Sequence, residues 1–167
     1  MEIRKYKETD WSQVWPIIEK AFRAGETYPY SPEITEHEAR KLWIVVPQEV
    51  YVATAEEGEI LGTYYIKPNQ PGLGSHVCNC GYIVSENARG KGVASGMCEH
   101  SQQVAVDVGF RAMQFNLVVS TNEGAIRLWK KLGFQVIGTL PKAFKSQSAG
   151  YVDALVMYKE IKTRQMG

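Results

Sequence analysis

The sequence predicts a single α/β domain, on three observations. Segments with two-residue alternation of apolar side chains interleave with segments of three- and four-residue spacing, so strands and helices share one chain. Three of the strands follow one another closely, as antiparallel neighbours do. The 167 residues match the ~150 expected of one domain, and no internal repeat or low-complexity stretch divides them. Residues 1–167 are therefore read as one domain with the element order β-α-α-β-β-β-α-β-α-β-β.

Each element has a local reason. Ile3 among charged neighbours makes residues 1–6 an opening strand. Thr9 or Asp10 can cap a helix whose apolar face is Trp11, Val14, Trp15, Ile18 and Phe22. Pro29 and Pro32 end that stretch, and Thr35 with Glu38 forms a capping box for a second helix. Residues 50–55 and 60–66 flank Glu56-Glu57-Gly58-Glu59 as a hairpin, and residues 76–84 add a third antiparallel strand. Ala94, Met97, Cys98, Ser101, Val104, Ala105 and Val108 have helical period, and Gly109 ends them. A strand over 112–119, a short helix over 124–132 closed by Gly133, and strands over 134–137 and 151–161 complete the order.

The composition excludes several classes. With 44% apolar and 22% charged residues the chain is not intrinsically disordered. A net charge of +1 without clustered basic residues argues against nucleic-acid and membrane-surface partners. Apolar runs such as Leu42 to Pro47 fall far below the ~18 residues of a membrane span, and no secretory signal is visible at the start. Cys78, Cys80 and Cys98 are odd in number and lack metal-ligand spacing, so reduced thiols, a cytoplasmic setting and no metal are expected.

The most informative segment is Ile83-Val-Ser-Glu-Asn-Ala-Arg-Gly-Lys-Gly-Val-Ala94, a strand leading through a Gly-rich loop into a helix. Unpaired backbone N–H groups and the positive end of the helix dipole make such a junction a seat for a pyrophosphate. Gly90 and Gly92 allow close backbone approach, and Arg89 and Lys91 add charge at the mouth. The signature of a P-loop is missing. A plain helix-capping turn is the alternative for this segment alone. The second segment is Asn122-Glu-Gly-Ala-Ile-Arg-Leu-Trp-Lys-Lys-Leu-Gly-Phe134.

Together, Arg89-x-x-Gly92-x-Ala94 and this second segment resemble the two cofactor motifs of the GNAT superfamily of acetyl-CoA-dependent N-acetyltransferases. The element order matches that fold over nearly the whole chain. The resemblance implies a mixed, mostly antiparallel sheet of about seven strands with about four helices, splayed between the fourth and fifth strands. It implies acetyl-CoA as cosubstrate, with pyrophosphate on Arg89, Gly90, Lys91, Gly92, Val93 and Ala94, and pantetheine against the backbone of Ile83 and Val84. The N–H of Tyr82 is placed to polarise the acetyl carbonyl. Trp129 departs from the pattern: it stands where the family usually has a tyrosine that serves as general acid, and indole has no proton to give.

Three asparagines stand out around that departure. Asn122 is expected either to cap the last helix or to donate its amide to the cofactor sulfur, and one side chain can do both. Asn79 shares a strand face with Gly81 and Ile83, on the path of the acyl end. Buried strand interiors disfavour an amide without a role, which points Asn79 and Asn116 to substrate binding, with a satisfied core polar group as the alternative, and the N–H groups of Asn116 and Leu117 are expected to be offered to a carboxylate. Tyr28, Tyr30 and Trp43 are expected to cover the pocket, with Tyr28 against the substrate. Weaker candidates are His76 as a base through water, Glu99-His100 as a solvated pair, and Asp153 as a structural anchor of the last strand.

A closer resemblance is to the yeast-type acetyltransferases that detoxify L-azetidine-2-carboxylate and related proline analogues. It rests on His76-Val-Cys-Asn79, Met113-Gln-Phe-Asn116, Val119-Ser-Thr-Asn-Glu123, Gly138-Thr-Leu-Pro-Lys142, Gly150-Tyr-Val-Asp-Ala154 and Gly25-Glu-Thr-Tyr28. The expected reaction is direct attack of a small amino-acid-like amine on acetyl-CoA, since no thiol or hydroxyl with an adjacent base emerges. The rival expectations are an acetyltransferase for protein N-termini or antibiotic-like amines, and a non-catalytic CoA-binding module. A homodimer is carried by family analogy alone.

Overall fold

A computed structural model describes residues 1–162. Seven strands form one sheet in the order β1-β2-β3-β4-β5-β7-β6, in which β4 and β5 alone run parallel. The strands are β1 (Glu2–Lys5), β2 (Glu49–Thr54), β3 (Ile60–Pro68), β4 (Val77–Val84), β5 (Ala112–Val119), β6 (Gln135–Ser146) and β7 (Gly150–Glu160). The helices are α1 (Trp11–Ala24), α2 (Glu36–Arg40), α3 (Val93–Val108) and α4 (Glu123–Lys131). This is the expected order, and the mixed sheet of seven strands with four helices is present. No helix among the described residues is long and apolar enough to cross a membrane.

Alternation along each strand builds a core on each sheet face. In β2, Val50 and Val52 meet Val14, Ile18, Phe22 and Trp43 on the α1–α2 side, while Tyr51 and Ala53 face the other way. In β4, Cys78 and Cys80 join Met97, Met113 and Trp129 on the α3–α4 side, whereas Ile83 belongs to the α1–α2 side. The three thiols are free and buried. Trp43, expected to cover the pocket, is fully buried instead, with its indole N–H donated to Thr63 Oγ1 at 3.1 Å.

The capping box at Thr35 is present: Glu38 N–H donates to Thr35 Oγ1, and Thr35 N–H to Glu38 Oε2 at 2.9 Å. Before α1 the chain departs from expectation. A 3-10 turn, Glu8–Asp10, precedes the helix, and the Asp10 carboxylate turns back to accept from Lys7 N–H at 2.8 Å. It also takes two bonds from the Arg4 guanidinium, at 2.8 and 2.9 Å. Asp10 therefore ties β1 to the start of the helical segment.

The sixth strand runs further than its pattern indicates. β6 has 12 residues, against an expected strand over 134–137, whereas β7 keeps the 11-residue length expected over 151–161, shifted by one residue. Register shifts between Val136 and Gly138 and between Leu140 and Phe144 break the alternation from which a strand is read. At the second, Lys142 holds φ +49 and donates its N–H to Asp153 Oδ1 at 2.9 Å, so Asp153 is the anchor expected of it.

Candidate active site

The site begins where β4 and β5 part. They pair only at Val77 with Ala112 and Cys78 with Met113, and then diverge. Two bonds to β3 fix which β4 groups face the gap: Ser85 N–H donates to Leu61 O, and Asn69 N–H to Val77 O. Hydrogen-bonded pairs recur every second residue in an antiparallel ladder, so Ile83 with Thr63 and Gly81 with Tyr65 are such pairs. Cys80, Tyr82 and Val84 therefore aim their N–H and C=O groups into the gap. Ile83 does not face the gap as its expected cofactor role requires: its backbone is engaged by β3 and its side chain is buried.

The gap opens into a cleft of about 930 Å³ that contains Tyr82, Val84, Arg89, Asn122 and Trp129 together with Tyr28, Asn79, Asn116 and Leu117. At one end lies the loop before α3. Gly90 and Gly92 hold φ +73 and +79, in the left-handed region that favours glycine. A Cβ at either would meet nothing within 4 Å, so the space over the loop is open. The first-turn N–H groups of α3 point to that space without intrahelical acceptors. Val93 contributes only its backbone there, since its side chain is buried in the core.

At the other end β5 carries a bulge. Phe115 pairs with Met157 and Val118 with Leu155, so Asn116 and Leu117 fall outside the ladder with β7. With β4 already splayed away, neither residue is in register with a strand on either side. The Asn79 carboxamide bridges the parting strands, donating to Gln114 O at 2.9 Å and accepting from Tyr65 Oη–H at 3.4 Å. Its amide is satisfied by the protein. Asn116 is exposed rather than buried, and its side chain donates to Asn69 Oδ1 at 2.7 Å and accepts from Gln114 Nε2 at 2.9 Å. The burial argument made for Asn116 from the sequence thus fails, although the residue does line the cleft.

Tyr28 reaches the catalytic strand directly. Its phenol donates to Tyr82 O at 2.9 Å, and burial pushes its pKa well above the ordinary value, so it remains a neutral donor. Beside it, the loop after α1 is fastened to the β6–β7 turn through Glu26. Its carboxylate accepts from Ser146 Oγ–H at 2.8 Å, Ser148 Oγ–H at 3.1 Å and Ser148 N–H at 2.9 Å, while Gln147 N–H donates to Gly25 O. These bonds, that from Ser146 foremost, hold the Glu26 pKa below its usual value.

Asn122 caps α4, its Oδ1 accepting from Ala125 N–H at 3.4 Å. Among the described residues its Nδ2 has no acceptor, which leaves two N–H donors for the cleft. Trp129 packs against Tyr82 and Phe115, with ring centroids 5.2 and 5.1 Å apart. Cys80 is the thiol on the cleft wall; burial, with Cys78 next to it, pushes its pKa well above normal, so it carries no thiolate.

The weaker candidates lie elsewhere. His76 is exposed and is not part of the cleft. His100 is half-buried rather than solvated: it packs edge-on to Tyr51 on the α3–α4 face of the sheet and pairs through Nδ1 with Tyr64 Oη at 2.8 Å. Burial lowers its pKa. Glu26, Tyr65 and Lys67 line the cleft without having been singled out. Their positions depend on the strand register and on a loop-to-hairpin contact some 120 residues apart in sequence, which no local pattern carries.

Comparison with known proteins gives this geometry its family. The family model for acetyltransferase (GNAT) matches residues 11–134. The N-acetyltransferase aca1 of Schizosaccharomyces pombe is 34% identical, over 91% of this chain and 80% of that protein. The chain belongs to the GNAT family. A GCN5-related N-acetyltransferase from Kribbella flavida shares 42% identity with this GNAT chain at a TM-score of 0.91, covering 95% of it and 96% of that structure. The L-amino acid N-acetyltransferase AaaT of Escherichia coli is 31% identical over 60% of this chain and 62% of that protein.

This GNAT protein is an acetyl-CoA-dependent N-acetyltransferase, and the residues present fit the cosubstrate. Tyr82 and Val84 offer a free strand edge of the kind an extended pantetheine arm requires, and the open glycine loop offers N–H donors to a pyrophosphate. No cluster of metal-ligating side chains occurs among the described residues.

Proposed function

We propose that the acceptor is a small amino-acid-like amine, acetylated by direct attack. The observation that carries this reading is the β5 bulge, which takes Asn116 and Leu117 out of register with β7 where they line the cleft, so that their N–H groups can serve an acceptor there. Two adjacent N–H donors match a carboxylate. Tyr28, Tyr30 and Tyr65 wall that end, and the Glu26 bonds hold the β6–β7 turn over it, leaving little room for a long peptide. The relative from Escherichia coli is named as an L-amino acid N-acetyltransferase, which accords with this acceptor class.

Acetyl-CoA supplies a thioester-activated acetyl group. The chain's own residues bind and orient around it. Arg89, Gly90, Lys91, Gly92 and the N–H groups of Val93 and Ala94 hold the pyrophosphate, and Val84 holds the pantetheine arm. The Tyr82 N–H donates to the acyl oxygen, where negative charge grows during attack. Tyr28 steadies that stretch of β4 through the Tyr82 carbonyl. Asn122 Nδ2 donates to the departing sulfur, a hydrogen bond in place of the proton that a tyrosine would give; the C–S bond breaks as the N–C bond forms, the sulfur leaves as thiolate, and the proton shed by the amine nitrogen passes to water. The protonated state of Cys80 supports direct transfer over an acyl-enzyme.

Trp129 favours one second reading, a CoA-binding module without turnover. Both readings are tested by following thiol release from acetyl-CoA with L-azetidine-2-carboxylate, a set of standard amino acids, and a short peptide, with products identified by mass. Acetylated free amino acids are expected. Turnover with the peptide alone would overturn the acceptor class, and tight acetyl-CoA binding without turnover of any amine would establish the second reading.

A further inference from the structure

The cleft holds a cation to which the chemistry above gives no task. Three basic side chains line it: Lys20, Lys67 and Arg89. Lys20 is paired with Glu86 at 2.6 Å, and Arg89 belongs to the pyrophosphate loop. Lys67 remains. It stands in β3 opposite Asn79, so its side chain rises on the same sheet face, toward the acceptor end. Its Nζ lies 5.3 Å from the centroid of the Tyr65 ring, the ring whose hydroxyl bonds Asn79. Among the described residues no carboxylate pairs with it. The two acidic side chains of the cleft are engaged elsewhere, Glu86 by Lys20 and Glu26 by Ser146 and Ser148.

The bulge lies at the same end. Two residues beyond Lys67 and on its face, Asn69 Oδ1 accepts from Asn116 Nδ2 at 2.7 Å, fastening the chain just past β3 to the β5 bulge. The unpaired ammonium and the bulge at Asn116 and Leu117 thus flank one region of the cleft, around Asn79. A carboxylate that enters a cleft loses water and needs a compensating charge as well as donors. An amine without a carboxylate would leave the ammonium unmatched beside a second cationic or polar group.

We infer that Lys67 determines acceptor specificity: its ammonium binds the acceptor carboxylate together with the bulge N–H groups and so selects amino acids over plain amines. The inference rests on the amino-acid reading of the acceptor. Lys67 takes part in binding and leaves the bond-making step to the groups already described.

The test compares kcat/KM for matched pairs, L-azetidine-2-carboxylate against azetidine and L-alanine against L-alaninamide, in the wild type, Lys67→Met and Lys67→Arg. Methionine keeps an unbranched apolar stem over Tyr65 without the charge, and arginine keeps the charge. For the acids, Lys67→Met should lower kcat/KM by about ten- to hundredfold, the effect of losing one charge-assisted bond, while the uncharged partners change by less than about twofold. Lys67→Arg should recover most of the loss. Equal losses for acid and uncharged partner, or none, in an enzyme that still prefers the acid would remove Lys67 from recognition and leave the bulge reading standing. A wild type that turns over the uncharged partner as well as the acid would overturn the amino-acid reading and this inference with it.

Discussion

Asn122 caps α4 with one atom and, in the proposed function, serves the cofactor sulfur with another, and Asn122→Asp separates the two. Oδ1 caps α4 through Ala125 N–H, whereas Nδ2 is free for the cofactor sulfur. Aspartate keeps an acceptor oxygen in the cap, and the two residues cap about equally well. The melting temperature of Asn122→Asp should therefore stay within about 1 °C of the wild type. Its kcat should fall by roughly a hundredfold or more, because a preorganised donor worth ~3 kcal/mol is lost and a negative charge takes its place beside developing thiolate. Asn122→Ala removes both functions: it should lose ~1 kcal/mol of stability, or about 2–4 °C in a chain of this size, and a similar factor in kcat. Thermal melts by circular dichroism and steady-state thiol release give the two readouts, and KM for acetyl-CoA should move much less than kcat. An Asn122→Asp variant with wild-type kcat would reduce Asn122 to a helix cap.

Gly92→Ala should weaken acetyl-CoA binding by about ten- to hundredfold in calorimetry, because its Cβ enters the open space over the loop. Gly72→Ala is the control. Gly72 also has positive φ and open space for a Cβ, but lies away from the cleft, so it should share a stability loss of ~1–2 kcal/mol with unchanged affinity. Equal affinities in both variants would remove the loop from the cofactor site. Arg4 bonding holds the Asp10 carboxyl below its usual pKa, so the folded state favours the ionised form. The stabilisation is then complete above the unfolded carboxyl's pKa of ~4 and is lost as pH falls through the lower folded value. Asp10→Ala should cost ~2 kcal/mol at pH 7, with the gap from wild type narrowing in urea melts below about pH 4; a gap independent of pH would refute the assignment.

What could be read from the sequence was what sits close together in it. The glycine loop was legible because Gly90, Gly92 and the helix start that they serve lie within a few residues, and positive φ at both glycines is the conformation that their type allows. Asn122 was legible as a cap for the same reason. Asn79 was placed on the correct face by parity alone, yet the bonds that occupy it come from β3 and β5, 14 and 35 residues away. The resemblance implied a cofactor role for the backbone of Ile83, but the direction of a peptide group depends on which neighbour the strand pairs with first. Only the register with β3 distinguishes Tyr82 and Val84 from Ile83. Bulges hid most: those in β6 shortened the expected strand, and that in β5 takes Asn116, which is exposed, out of the ladder from which burial would be read.

The splayed edge of β4 as the acyl-binding surface is tested most directly by residue-resolved amide hydrogen exchange with and without saturating acetyl-CoA. The amides of Tyr82 and Val84 face the gap and should exchange readily in the free protein, then slow by tenfold or more when the cosubstrate takes them as donors. Those of Gly81 and Ile83, already bonded to β3, should be slow in both states and change little. Unchanged exchange at Tyr82 and Val84 in the saturated protein, with slowing elsewhere, would contradict this placement of the acyl group.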